Sequence, residues 1–186
     1  MDILKLRELY KLKEVYRKAR VKERQESSAE HTWSCLILAD YLMDNIKSLK
    51  LDRLKVLELL MYHDVIEIES GDVSIAEVKD PDKKRKDEFE GLKRLKKSIP
   101  KGTGKKAGRM FKEFDDEKTV EAKFAAAVDK LDALMQHMGH KADWKGWDEK
   151  RIWQYHGKAF EFSPEMKKVF TDILSEIRKR GYFDVK

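Results

Sequence analysis

Four residues of metal-ligand type stand far apart in this chain: His31, the adjacent pair His63 and Asp64, and Asp129. Two imidazoles and two carboxylates make a mixed nitrogen and oxygen donor set, suited to one divalent ion such as Mn²⁺, Co²⁺, Fe²⁺ or Zn²⁺. An ion held this way keeps open positions, acidifies a bound water and offsets charge on a phosphoryl oxygen, which is the chemistry of a metal-dependent hydrolase. Glu67 follows His63 by one helical turn, where a carboxylate can orient that water or protonate a leaving oxygen. Asp72 comes just after a glycine and can fold back toward the same place.

The elements that must position these residues read as helices. Apolar spacing from Ile3 to Ala19 predicts a first amphipathic helix, followed by a polar stretch from Arg20 to Ser28. Ser27 stands three residues before Glu30, the spacing of a capping box, so a second helix starts there with His31 in its first turn and runs to Asn45. Asp52 is an N-cap for a third helix that carries His63 and Asp64 on its C-terminal half, with His63 and Glu67 on one face and Asp64 a quarter turn away. A mostly exposed helix is expected from Asp82 to Lys97, and a mobile loop from Pro100 to Gly108, where glycines and lysines alternate. A helix from Glu117 to Met138 brings Asp129, a short one falls between Trp147 and Phe160, and Ser163-Pro164-Glu165 opens a last helix to Arg180.

Composition agrees with that reading. In 186 residues there are nine glycines and three prolines, and 41% of the residues are charged, as in a helix-rich protein with a heavily solvated surface. Strands are hard to find. The net charge of +6 allows attraction to phosphorylated substrates, nucleic acid or an acidic membrane face without choosing among them. One cysteine, Cys35, cannot form an internal disulfide, and the charged N-terminal segment has the features of neither a signal peptide nor a membrane span. The expectation is a cytoplasmic protein that does not enter the membrane.

The order His, His-Asp, Asp, with SAEH around His31, HDVIEIESGD from His63 and EAKFAAAVDKLD around Asp129, resembles the HD-domain phosphohydrolases and, within them, the 5′-deoxynucleotidases. The resemblance implies an all-α fold, a compact HD-domain helical bundle over residues 1–186 with its motif-bearing core at about 20–138 and the C-terminal helices packed on it. It implies one divalent metal ion on His31, His63, Asp64 and Asp129, and hydrolysis of deoxynucleoside 5′-monophosphates to deoxynucleoside and phosphate. By motif position Glu67 and Asp72 match the acids that serve the attacking water, and Arg20 resembles an arginine that precedes the first histidine and binds substrate. A homodimer is implied as well. The chain lacks an arginine-tryptophan pair upstream of Arg20, and no histidine lies between His63 and Asp129, which favours a mononuclear site.

Other features read more plainly. Asp132 is expected to be a surface carboxylate, His137 and His140 a solvated helix end, KGTGKKAG a surface loop without Walker spacing, and the aromatics from Trp144 to Tyr155 packing rather than base-stacking groups. The competing functional readings are a phosphohydrolase for another nucleotide or small phosphate, and a non-catalytic basic module that binds nucleic acid and keeps a structural metal.

Overall fold

A computed structural model describes residues 2–74 and 77–184. The N-terminal segment Asp2–Glu14 coils as a 3₁₀ helix, and the chain then forms a hairpin of β1 (Tyr16–Val21) and β2 (Arg24–Ser27). The helices are α1 (Ser28–Asn45), α2 (Arg53–Tyr62), the single turn α3 (Glu67–Ser70), α4 (Pro81–Ser98), α5 (Lys101–Asp116), α6 (Val120–His137), α7 (Glu149–His156) and α8 (Pro164–Lys179). Among the described residues the fold is all-α apart from this antiparallel pair.

The hairpin corrects two expectations, a first helix reaching Ala19 and a structureless stretch after it. Tyr16 pairs with Ser27 and Arg20 with Gln25, so Arg17, Lys18 and Ala19 lie opposite Glu26 alone. Such a bulge bends the strand and re-aims its side chains. Here it buries Ala19 and turns Arg17 inward while Lys18 and Arg20 stay exposed. Lys22 takes the left-handed backbone (φ 54°) at the connection.

The capping box forms as expected: Ser27 Oγ accepts from the Glu30 N–H, and the Ser27 N–H donates to Glu30 at 2.9 Å. α1, α2 and α6 pack against one another around a core of Ala39, Leu42, Val56, Leu59, Leu60, Phe124, Val128 and Leu131, and Phe160, Met166, Phe170 and Leu174 continue that core toward α8. Burial at 0% exposure of Leu59, Phe124 and Leu131 removes about 1.5–3 kcal/mol worth of apolar surface from water per side chain.

The loop expected from Pro100 to Gly108 is instead the first half of α5. Gly104, Ala107, Met110 and Phe111 make its buried seam. A Cβ on Gly104 would meet the Cα and carbonyl oxygen of Lys96 at 3.4 Å, an ordinary contact, and the segment is helical because this seam packs on α4 in spite of the roughly 1 kcal/mol cost of glycine in a helix.

α2 also ends earlier than its apolar pattern suggests. His63 is its C-cap, Asp64 lies in the turn beyond, and Glu67 opens α3. The N–H groups of Glu67 and Glu69 donate to the carbonyls of Asp64 and Ile66, three residues back, at 2.9 Å each. A three-residue turn eclipses side chains at i and i+3, so Asp64 and Glu67 stand on one line instead of being splayed.

Candidate metal centre and active site

His31 from the start of α1, His63 and Asp64 from the end of α2, and Asp129 from the middle of α6 converge. His31 Nε2 lies 3.0 Å from Asp129 Oδ1, 3.4 Å from His63 Nε2 and 3.7 Å from Asp64 Oδ2. His63 Nε2 lies 3.2 Å from Asp64 Oδ2 and 3.9 Å from Asp129 Oδ1. Donors about 2.1 Å from one ion sit roughly 3.0–3.4 Å apart at right-angled or tetrahedral positions, so these atoms are spaced like the edges of a coordination polyhedron.

The other ring nitrogens are both engaged. Asp132 Oδ2 lies 2.8 Å from His31 Nδ1, and the His63 Nδ1 is 2.7 Å from the Leu60 carbonyl oxygen, which can only accept. A proton on each Nδ1 leaves both Nε2 lone pairs facing the cluster, the tautomer that a metal ligand needs. Asp132 is 6% exposed, so it is a buried partner of His31 and not the expected surface carboxylate.

Cys35 Sγ also falls near the cluster; His31, Cys35, His63 and Asp129 present donor atoms all within 4.8 Å of one another. Its sulfur lies 3.5 Å from His31 Nε2 and 3.7 Å from Nδ1, hence beside the ring rather than ahead of Nε2. Burial, first of all, pushes this thiol up to about 12, opposite to what a thiolate ligand requires. Asp64 is the better fourth donor: burial disfavours its charge, but His63, Arg17 and His31 outweigh that and hold it below the usual carboxylate range.

Glu67 lies deeper than a solvent-facing helix residue would. Ser28 Oγ donates to Glu67 Oε2 at 2.6 Å. Burial and then the charge of Asp64 push the Glu67 carboxyl well above its ordinary value. Asp72 is raised too, chiefly by burial, with Arg17 opposing.

The arginine at the centre is Arg17. Its Nη1 is 3.2 Å from Asp64 Oδ2 and 3.8 Å from Asp72 Oδ1, its Nε faces Glu26 at 3.7 Å without a hydrogen-bond partner, and its side chain is 15% exposed. Arg20 stands at the rim with an exposed side chain. Alternation along a strand would have pointed to a choice between the two, but the bulge that decides it has no sequence signature.

These groups open into a cleft of about 1210 Å³. Its walls mix basic and acidic groups: Lys18, Lys84 and Arg85 pair with Glu77, Glu88 and Asp115, while Phe114, Trp147, Tyr155 and His156 add rings. Of the aromatic segment, Trp144 packs on Tyr182 and Phe183 and donates its N–H to the His137 carbonyl, and Trp153 packs on Phe170, as expected of packing groups. Burial depresses His156 to about 4, so its imidazole is neutral at ordinary pH.

The HD domain model matches residues 9–169, and the chain belongs to that family. It is 25% identical over 114 residues to the human 5′-deoxynucleotidase HDDC2, an alignment covering 61% of this chain and 54% of that protein, and 27% identical over the same length to the bovine one. The chain thus spans just over half the length of the curated relatives it matches. Among solved structures it is similar to the predicted metal-dependent phosphohydrolase of Magnetospirillum magnetotacticum, with a TM-score of 0.83 at 24% identity over 97% of this chain and 92% of that one. An HD-domain phosphohydrolase of Listeria innocua gives 0.71 at 19% identity, over 98% and 92%. At these identities the structural likeness speaks to the fold. No helix among the described residues is long and apolar enough to cross a membrane.

Proposed function

We propose that this protein is a metal-dependent phosphohydrolase that converts deoxynucleoside 5′-monophosphates to deoxynucleoside and phosphate. One observation carries the hydrolase reading: each of two Nε2 atoms lies 3.0–3.9 Å from both the Asp64 and the Asp129 carboxylate, beside a half-buried arginine, Arg17, that bridges Asp64 and Asp72. His31, His63, Asp64 and Asp129 would hold one divalent ion, whose chemistry is to acidify a water and neutralise phosphoryl charge.

The chain's own groups supply the rest. Arg17 offers charge-assisted donors to the phosphate, and Arg20 adds a cation at the rim of the cleft. Glu67 retains a proton to higher pH than an ordinary carboxylate and is in line with Asp64, which suits it to protonate the leaving oxygen. Asp72, held by the same Arg17 nitrogen as Asp64, would orient the attacking water and take its proton. The deoxynucleotide preference rests on the curated relatives, and a nucleotide fits the size of the cleft and its ringed wall.

The test is phosphate release from deoxy- and ribonucleoside 5′-monophosphates with Mn²⁺, Co²⁺ or no metal. Turnover that needs metal, is lost in Asp64→Ala and falls about 10²–10⁴-fold in Glu67→Gln supports the site. Equal rates on deoxy and ribo substrates would remove the sugar preference, and no turnover with any metal would remove the nucleotidase reading.

A further inference from the structure

The positive charge of this chain is concentrated in one place that the active site does not use. Residues 91–112, the end of α4 and most of α5, contain nine of the 41 basic residues and none of the 35 acidic ones. The remainder of the chain therefore carries 32 basic against 35 acidic residues and is slightly negative.

The structure organises these charges. On α5, Lys101, Lys105, Arg109 and Lys112 recur at i, i+4, i+8 and i+11, within an arc of roughly 80° of the helix and away from its buried seam. Lys96 of α4 joins them: its backbone lies against Gly104 and its stem runs over Gly108, with Nζ 3.3 Å from where a Gly108 Cβ would be. Lys93, Arg94, Lys106 and Lys112 pair with Glu90, Glu69, Glu58 and Asp116. Among the described residues, Lys96, Lys101, Lys105 and Arg109 form no ion pair, and all four are exposed.

We propose that this cationic stripe on α5 is a docking surface for the phosphate backbone of a nucleic acid, separate from the hydrolytic cleft. From Lys101 to Lys112 the helix rises about 16 Å. Over that distance one strand of a duplex presents about five phosphates, against the five cations of the stripe. A membrane-surface helix needs apolar side chains to bury beside its cations, and protein interfaces centre on apolar or aromatic anchors. None of the large apolar side chains exposed on the molecule lies between residues 81 and 116, so the surface offers charge alone. A sequence-independent backbone contact needs nothing else.

The experiment is anisotropy titration of a short labelled DNA duplex with the full chain, in chelator, over about 0.05–0.2 M salt. The parent is expected to bind with a log–log salt slope of about −4.5, as for five neutralised phosphates. Lys101→Gln/Lys105→Gln/Arg109→Gln keeps helix-favouring residues and should reduce the slope by about 3 and the low-salt affinity at least tenfold. Its thermal melt and its metal binding should match the parent. A control that neutralises Lys150, Lys158 and Lys179, outside the stripe, should bind nearly as the parent does. No binding at the lowest salt, equal losses in the two triple variants, or binding to phosphatidylserine vesicles in place of the duplex would each overturn the proposal. The result does not depend on whether the cleft hydrolyses nucleotides.

Discussion

Asp132 touches His31 from the side of the ring opposite the cluster, Oδ2 to Nδ1 at 2.8 Å, one turn of α6 beyond Asp129 on the Nε2 side. One imidazole is thus held at both nitrogens by two carboxylates of the same helix. Partners of this kind fix the tautomer and the ring orientation. Asp132→Ala should weaken Mn²⁺ binding about 10–100-fold in calorimetric titration. It should also lower stability by about 1–3 kcal/mol through the unpaired Nδ1–H. Asp132→Asn, which keeps an acceptor, should recover most of the stability. Unchanged metal affinity in both variants would show that His31 is oriented by packing alone.

Arg17 and Arg20 separate by the same kind of measurement. Removing Arg17, with its charged hydrogen bonds in a half-buried position, should lower kcat/KM for a nucleoside monophosphate about 10–100-fold. Arg20→Ala, at an exposed rim position, should cost less than about fivefold. The reverse order would return the substrate-binding role to Arg20.

The capping box gives a pH dependence. Hydrogen bonds from Arg24, then from the Ser27 N–H, hold Glu30 at about 2 against an ordinary value of 4.5. Because the folded value is the lower one, the contribution of Glu30 is present above about pH 4.5 and is lost as pH falls toward 2. Arg24 is largely exposed and its pairing is screened, so the capping interaction is expected to supply most of about 0.5–1 kcal/mol. Urea unfolding of the parent and Glu30→Gln, which keeps an acceptor but not the charge, should differ by up to that amount at pH 7 and converge as pH falls to about 2. A difference independent of pH would assign the effect to packing.

Gly157, just past α7, has no room for a side chain. A Cβ there would fall 2.5 Å from Trp153 Cε3, and that ring packs edge-on against Phe170 with centroids 4.9 Å apart. Gly157→Ala should therefore cost about 1–3 kcal/mol, read as a lower Tm, despite the gain in helix propensity. Trp153→Leu should relieve the clash, making the double variant less destabilised than the sum of the singles.

What the sequence made legible was local. Ser27 and Glu30 announce the start of α1 by a three-residue spacing, and Asp52 and Ser163 cap α2 and α8 as expected, whereas α6 starts at Val120 behind a Thr119 cap, three residues past its expected start. The HD pair and its flanking residues were legible as a resemblance. What escaped depends on partners distant in the chain. Asp132 became a buried residue through a histidine 101 positions away. Gly104 and Gly108 looked like loop residues because the contact they make is with Lys96 of another helix. The strands YRKARV and RQES lack the apolar alternation that marks a half-buried strand, so the hairpin had no pattern to show.

Ser27 belongs to two structures at once. It is the last residue of β2, paired with Tyr16, and the N-cap of α1, whose first turns carry His31. Arg17 follows Tyr16 directly. A one-residue slip of β1 along β2 would swing the guanidinium to the opposite face while the local Ser27–Glu30 cap stayed in place. The anion-binding arm and the first imidazole thus share one short stretch of backbone as their common reference, and the register between Tyr16 and Ser27 alone decides whether the arginine meets the cluster.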